Sequence, residues 1–239
     1  MTTLRRHIPR SFFSSSTAKA AGAAAAVAAL LAVSACTPAP AGEGASLSGA
    51  PSSAGSGATG TNGAQGDASA SGAASAARIL SDAGLPQLAS ATPEQLVDRL
   101  EALPVAQRPG GLQSSVTAAA ISLKDAGSGE VAELALPSEK FYLSIAPYAQ
   151  TTHECTFHAP TGCQGELSSA NVGVKIVDAD SGEEYVNRTV KTADNGFAGF
   201  WLPAGRTVNV TMTLEGKSGT VTTGTGADEP TCLTTLRVA

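Results

Sequence analysis

From residue 77 onward the spacing of apolar residues changes twice, and each change marks a different kind of element. Ala76 to Ala83 is weakly helical and is stopped by Gly84. The stretch after Thr92 reads Thr-Pro-Glu-Gln-Leu-Val-Asp-Arg-Leu, with Thr92 as N-cap, proline at the first helical position and Gln95 at the third. Leu96, Val97, Leu100 and Leu103 fall on one face, which predicts a short amphipathic helix. Val116 to Leu123, Glu130 to Leu136 and Phe141 to Ile145 are β-branched or alternating runs separated by Gly, Ser and Pro, and they read as strands. Residues 77–150 are therefore expected to form a small α+β unit.

Beyond Asn171 the period is two throughout. Val172, Val174 and Ile176 alternate; Asp180-Ser181-Gly182 turns the chain into Tyr185 to Val190; Asp194-Asn195-Gly196 turns it again into Phe197 to Leu202. Thr207 to Leu214, Gly219 to Thr223 and Cys232 to Val238 follow. Short strands at this spacing predict a small all-β sandwich, transthyretin-like or immunoglobulin-like, over residues 151–239. Phe197, Phe200 and Trp201, just before a Pro-Ala-Gly turn, are expected as core, or as core plus one exposed neighbour, and not as a ligand platform.

The N-terminal third is different. Residues 1–35 carry Arg5, Arg6, Arg10 and Lys19 ahead of the apolar run Ala20 to Val33, the order of an export signal. The run ends in Val33-Ser34-Ala35-Cys36, which resembles a bacterial lipobox and makes Cys36 the expected acylated first residue of the mature chain. Residues 36–76 are nearly all Ala, Gly, Ser, Thr and Pro, with too few large apolar groups to offset chain entropy, and read as a disordered tether reaching about 35 Å on average. Loss of the signal removes four of the 15 basic residues and none of the 20 acidic ones, leaving 11 − 20 = −9. With that balance and no basic patch, nucleic acid is not an expected partner. Membrane residence would rest on the lipid at Cys36.

Histidine and cysteine are scarce, with 3 and 4 in the whole chain. Two of each nevertheless fall within His153-Glu-Cys-Thr-Phe-His-Ala-Pro-Thr-Gly-Cys163. Pro160-Thr161-Gly162 can fold this segment so that Cys155, Cys163 and His158 face one point, with Cys232 joining from the last strand. Three sulfurs and an imidazole are a soft donor set suited to Cu(I); zinc competes, because Cys₃His is also a structural zinc site. Outside the cytoplasm, thiols in such a cluster imply a redox-active metal or thiol chemistry. The competing reading is a plain disulfide in a structural or thiol-disulfide exchange module. Loop closure would contribute roughly 4 kcal/mol for Cys163–Cys232 and roughly 2.5 kcal/mol for Cys155–Cys163, but an odd cysteine remains either way. No Ser-His-Asp arrangement, phosphate loop or paired catalytic carboxylates compete, and Glu154 and Glu166 read as flanking surface residues.

His-Glu-Cys-Thr-Phe-His-Ala-Pro-Thr-Gly-Cys-Gln-Gly-Glu-Leu from His153, Asp-Asn-Gly-Phe-Ala-Gly-Phe-Trp-Leu-Pro from Asp194 and Pro-Thr-Cys-Leu-Thr-Thr-Leu from Pro230 resemble the CueP family of periplasmic copper-binding proteins, in order, from about Leu85 to the end. The resemblance implies that Cys155, Cys163 and Cys232 bind copper, with His158 in the motif position. It also implies copper resistance in the cell envelope, thiol-driven reduction of Cu(II) by the same cysteines, delivery of copper to a client enzyme, and a homodimer. The residues themselves leave open whether Cys155 and Cys163 form the redox pair, ending as a disulfide.

The anchor has a direct test. The protein should partition into a detergent phase, and Cys36→Ala should abolish that partitioning; a Cys36→Ala chain that stayed with the membrane would rule out lipid attachment at this residue.

Overall fold

The computed structural model describes residues 63–239, and the export signal, Cys36 and most of the tether lie outside the described residues. The first helix, α1 (Gly63–Asp82), begins well before the Ala76 start that the apolar pattern predicts. Its alanines are the best helix formers, and Ala76, Ile79 and Leu80 bury one side, so tertiary contact extends a helix that the pattern marks only weakly. It ends in a Schellman turn: Leu85 N–H donates to Leu80 O at 2.8 Å and Gly84 N–H to Ser81 O at 2.9 Å, with Gly84 at φ +77°. The second helix, α2 (Pro93–Glu101), has the predicted capping box between Thr92 and Gln95 and buries Leu96, Val97, Leu100 and Glu101.

The strands β1 (Leu112–Val116), β2 (Ala120–Asp125) and β3 (Val131–Ala135) form an antiparallel sheet in the order β1-β2-β3. The run Val116 to Leu123 is thus two strands and not one. Thr117 breaks it, its Oγ1 accepting from Ala119 N at 3.3 Å and Ala120 N at 3.1 Å, a local hydrogen-bonded turn that hydrophobic alternation does not reveal. Both helices pack on this sheet through Leu80, Leu96, Leu100, Ile121 and Leu123.

β4 (Lys140–Ile145) leaves that unit and enters a second sheet, between β7 (Ala198–Pro203), antiparallel, and the two-residue β10 (Cys232–Leu233), parallel. The sandwich's other layer is antiparallel, in the order β6-β5-β8-β9, from β5 (Asn171–Asp178), β6 (Glu184–Lys191), β8 (Thr207–Leu214) and β9 (Lys217–Gly224). The expected α+β unit followed by a β-sandwich is therefore present. β4 is covered on both faces, as a continuous apolar strand should be. Phe141, Leu143 and Ile145 enter the sandwich core with Val174, Ile176, Val210 and Met212, while Tyr142 joins the helix-covered core. The pattern placed this strand with the front unit because a run buried on both faces does not say which core it serves. Cys232 to Val238, expected as a full strand, pairs only at its first two residues and through a bridge between Tyr148 and Arg237. Among the described residues no helix is long and apolar enough to cross a membrane.

Candidate metal centre

Residues 146–170 connect the two sheets without regular structure, so their backbone groups must find partners elsewhere, and those partners shape the site. Val116 N–H donates to His158 O at 2.8 Å. Thr231 Oγ1 accepts from His158 N–H at 3.0 Å and donates to Val116 O at 2.5 Å. Thr161 N–H donates to Ser114 Oγ at 3.1 Å, while Ala159 O accepts from both Gly162 N–H (2.9 Å) and Cys163 N–H (2.8 Å), closing the turn at Pro160-Thr161-Gly162. Gly165 N–H donates to Asn195 O at 2.6 Å, and a Cβ on Gly196 would stand 2.5 Å from Gly165 O. Only glycine permits that approach, and Gly196 also sits at φ +82°.

Glu166 contributes more than a flanking surface charge. Its Oε2 accepts from three successive amides, Ala149, Gln150 and Thr151, at 2.9, 3.0 and 3.1 Å, and so clamps the entry of the loop to its exit. Hydrogen bonds from Gln150 and Thr151 hold its carboxyl below the usual range against a smaller opposing effect of burial.

The four residues singled out by the sequence converge. Cys155 and Cys232 are joined by a disulfide with Cα atoms 5.7 Å apart, and Cys163 is free. Cys163 Sγ lies 3.7 Å from Cys155 Sγ, and His158 Nδ1 lies 3.8 Å from Cys232 Sγ. Donor atoms of His158, Cys163 and Cys232 are within 4.8 Å of one another, as are those of His153, Cys155 and Cys163. The bridge is neither of the pairings weighed from spacing: the turn that begins at Ala159 sets Cys163 beside Cys155, while Cys232 N–H donates to Thr156 O at 3.2 Å and presents its own sulfur to Cys155. Closing a loop of separation 77 contributes about 4.5 kcal/mol by chain entropy.

The floor of the site is apolar and buried. Ala146, Phe197 and Cys232 are buried together with Cys155 and Cys163 packed against them, and the Phe197 ring lies 4.6 Å from that of His158. Phe197 is thus core as expected, and that core is the base of the cysteine cluster. His158 is fully buried, whereas His153 is exposed. Two residues that no sequence motif singles out complete the interior. Glu101, at the end of α2, meets His158 Nε2 through Oε2 and accepts from Asn195 Nδ2 through Oε1 at 2.9 Å. A glutamate in the last turn of a helix ordinarily faces water, and only the folded chain shows this one to be buried.

Burial opposes protonation of His158, but hydrogen bonding to Cys163 and Glu101 and the charge of both outweigh it and hold the imidazole above its ordinary pKa. Burial likewise pushes the Cys163 thiol up; the His158 hydrogen bond, the Ala159 N–H at 3.4 Å and the charge of His158 pull it further down, so the net shift is downward. Both shifts favour the thiolate–imidazolium pair, and the thiolate is the state in which cysteine is both nucleophile and metal ligand. In the disulfide form, iodoacetamide should modify Cys163 with a pH midpoint below the about 8.5 of an ordinary thiol. His158→Ala should move that midpoint upward, because burial then acts unopposed by its partner. A midpoint above the ordinary value in the parent would contradict the pairing.

The sequence matches the family described as "Periplasmic copper-binding protein CueP" over residues 95–237. Among solved structures, "Crystal Structure of S.CueP" is similar at 34% identity and a TM-score of 0.62, covering 69% of this chain and 97% of that one. No curated protein matches the chain. The matched span contains all three clustered cysteines, His158, Glu101 and Asn195, and the match in sequence and fold shows that this chain belongs to the CueP family of periplasmic copper-binding proteins.

Proposed function

We propose that the chain holds Cu(I) on the sulfurs of Cys155, Cys163 and Cys232 with His158 as the nitrogen ligand, and that the same thiols reduce Cu(II). The observation that carries this reading is the meeting of three sulfurs and one buried imidazole nitrogen, contributed by two distant parts of the chain, on a floor lined by Phe197 and Ala146. A soft, sulfur-rich set of low coordination number favours monovalent copper over hard divalent ions.

The redox step balances within the site. With Cys155 and Cys232 reduced, their two thiols release two protons and two electrons, form the disulfide, and convert two Cu(II) to two Cu(I). An external dithiol resets the site by thiol-disulfide exchange. Cys163 is not part of this bridge and stays available as a thiolate ligand while it is in place. Its 3.7 Å contact with Cys155 Sγ also allows it to attack that sulfur and release Cys232 as a thiolate, moving the bridge without net oxidation. A Cys155–Cys163 disulfide, the pairing that the sequence leaves open, would then be the product of exchange.

The Cys155–Cys232 bridge also favours a second reading, a purely structural disulfide in a module with no metal. Copper titration separates the two. Anaerobically reduced protein should take up about one Cu(I) in competition with a chelator, and serine at Cys155, Cys163 or Cys232 should weaken binding far more than His153→Ala, with His158→Ala between. Cu(II) added to reduced protein should give Cu(I) while free thiols fall by two per disulfide. Three serine variants that bound and reduced copper like the parent would leave the structural disulfide as the better account.

A further inference from the structure

We infer that Glu101, with Asn195 behind it, is a positioning residue that decides which nitrogen His158 offers to the ion: Nε2 is committed to the carboxylate, and Nδ1 is left facing the sulfurs. The inference rests on the copper reading above and adds to it residues outside the Cys-His segment.

Glu101 is 6% exposed and closes α2, 57 residues before His158. A carboxylate at such a depth needs partners for both oxygens. One oxygen meets His158 Nε2 and the other accepts from Asn195 Nδ2. Asn195 is itself 1% exposed, and its Oδ1 accepts from Phe197 N–H at 3.0 Å. That backbone bond fixes the orientation of the amide: its oxygen is taken by a donor, so its NH₂ must face Glu101. Glu101 is therefore held as an acceptor on both sides, and the imidazole nitrogen against it must carry a hydrogen. In a metal-binding, neutral His158 the free lone pair is then on Nδ1, the nitrogen that stands 3.8 Å from Cys232 Sγ.

The ring has little freedom to escape this assignment. Its backbone is pinned on both sides by Thr231 and Val116, and its face lies against Phe197. Turning the ring over would set a carbon against the carboxylate and strand a buried charge. The Asp194-Asn195-Gly196 turn, the end of α2 and the cysteine loop are thus joined through one imidazole. A histidine that ligates a metal is commonly oriented by such a carboxylate on its other nitrogen, and loss of the outer partner lowers metal affinity about 10- to 100-fold.

The test uses protein carrying ¹⁵N-labelled histidine, loaded with Cu(I), with His153→Ala to separate the two ring signals. In the parent, Cu(I) should shift His158 Nδ1 while Nε2 keeps a proton protected from solvent. Glu101→Gln should weaken Cu(I) binding about 10-fold or more and bring into the spectrum a population with the proton on Nδ1 and no copper shift there, because the new amide must turn its NH₂ either toward His158 Nε2, which then has to accept, or against the NH₂ of Asn195. Exchanging the two groups, with Glu101→Gln and Asn195→Asp together, restores the order of acceptors and donors and should recover most of the affinity and the single Nδ1 signature. A generally loosened fold would not be repaired by that exchange. Copper on Nε2 in the parent would overturn the assignment, as would a Glu101→Gln protein with parental affinity and Nδ1 coordination, or a double variant no better than the single. A parent that took up no Cu(I) would overturn the copper reading itself, and this assignment with it.

Discussion

The site depends on a parallel pairing only two residues long. Cys232 and Leu233 lie beside Ser144 and Ile145, and that short ladder brings residues 232–233 against the C-terminal end of β4. Ser144 N–H donates to Thr231 O at 2.9 Å and Ala146 N–H to Leu233 O at 2.9 Å. Thr231, the residue before the pairing, then holds His158 by its backbone and Val116 by its carbonyl through one buried hydroxyl. Without this register, Cys232 would be separated from Cys155 by 77 residues of chain and the third sulfur would have no reason to be near the other two.

The position of β4 gives the cluster its setting. Because one face of the strand serves the helix-covered core and the other the sandwich, the residues immediately after it emerge where both cores and the loop meet. Phe197 and Ala146 close that junction to water on the inside, while His153 and the half-exposed Phe157 stand on the outside. The cluster therefore has a buried inner side, where His158 and Glu101 interact at low dielectric, and an outer side on which Cys155 and Cys163 are partly exposed. Around it the loop is held by polar contacts more than by apolar ones, with Glu166, Thr161 and Thr152 each accepting or donating across its ends.

Much of this was legible in the sequence, and the parts that were not share a cause. The Thr92 capping box, the period-two strands after Asn171 and the Asp194-Asn195-Gly196 turn depend on local chemistry, and all appear where the pattern puts them. The cysteines and histidines stood out because the chain has so few of them. What stayed hidden depends on partners far along the chain. Composition marks Glu101 as a helix-end charge, Glu166 as a surface charge and Asn195 as a turn residue, and only the fold places the first and last of these around one imidazole. The pairing of Cys155 with Cys232 was hidden for the same reason, since spacing along the chain carries no information about the β4–β10 register. The early start of α1 was masked by alanine, which favours helix without marking which side is buried.

Copper-edge X-ray absorption of the reduced protein with one equivalent of Cu(I) tests the central claim most directly, because it reports the ligand atoms themselves. The account predicts a first shell made mainly of sulfur with one nitrogen, the nitrogen contribution disappearing in His158→Ala. A shell of nitrogen and oxygen without sulfur would contradict it.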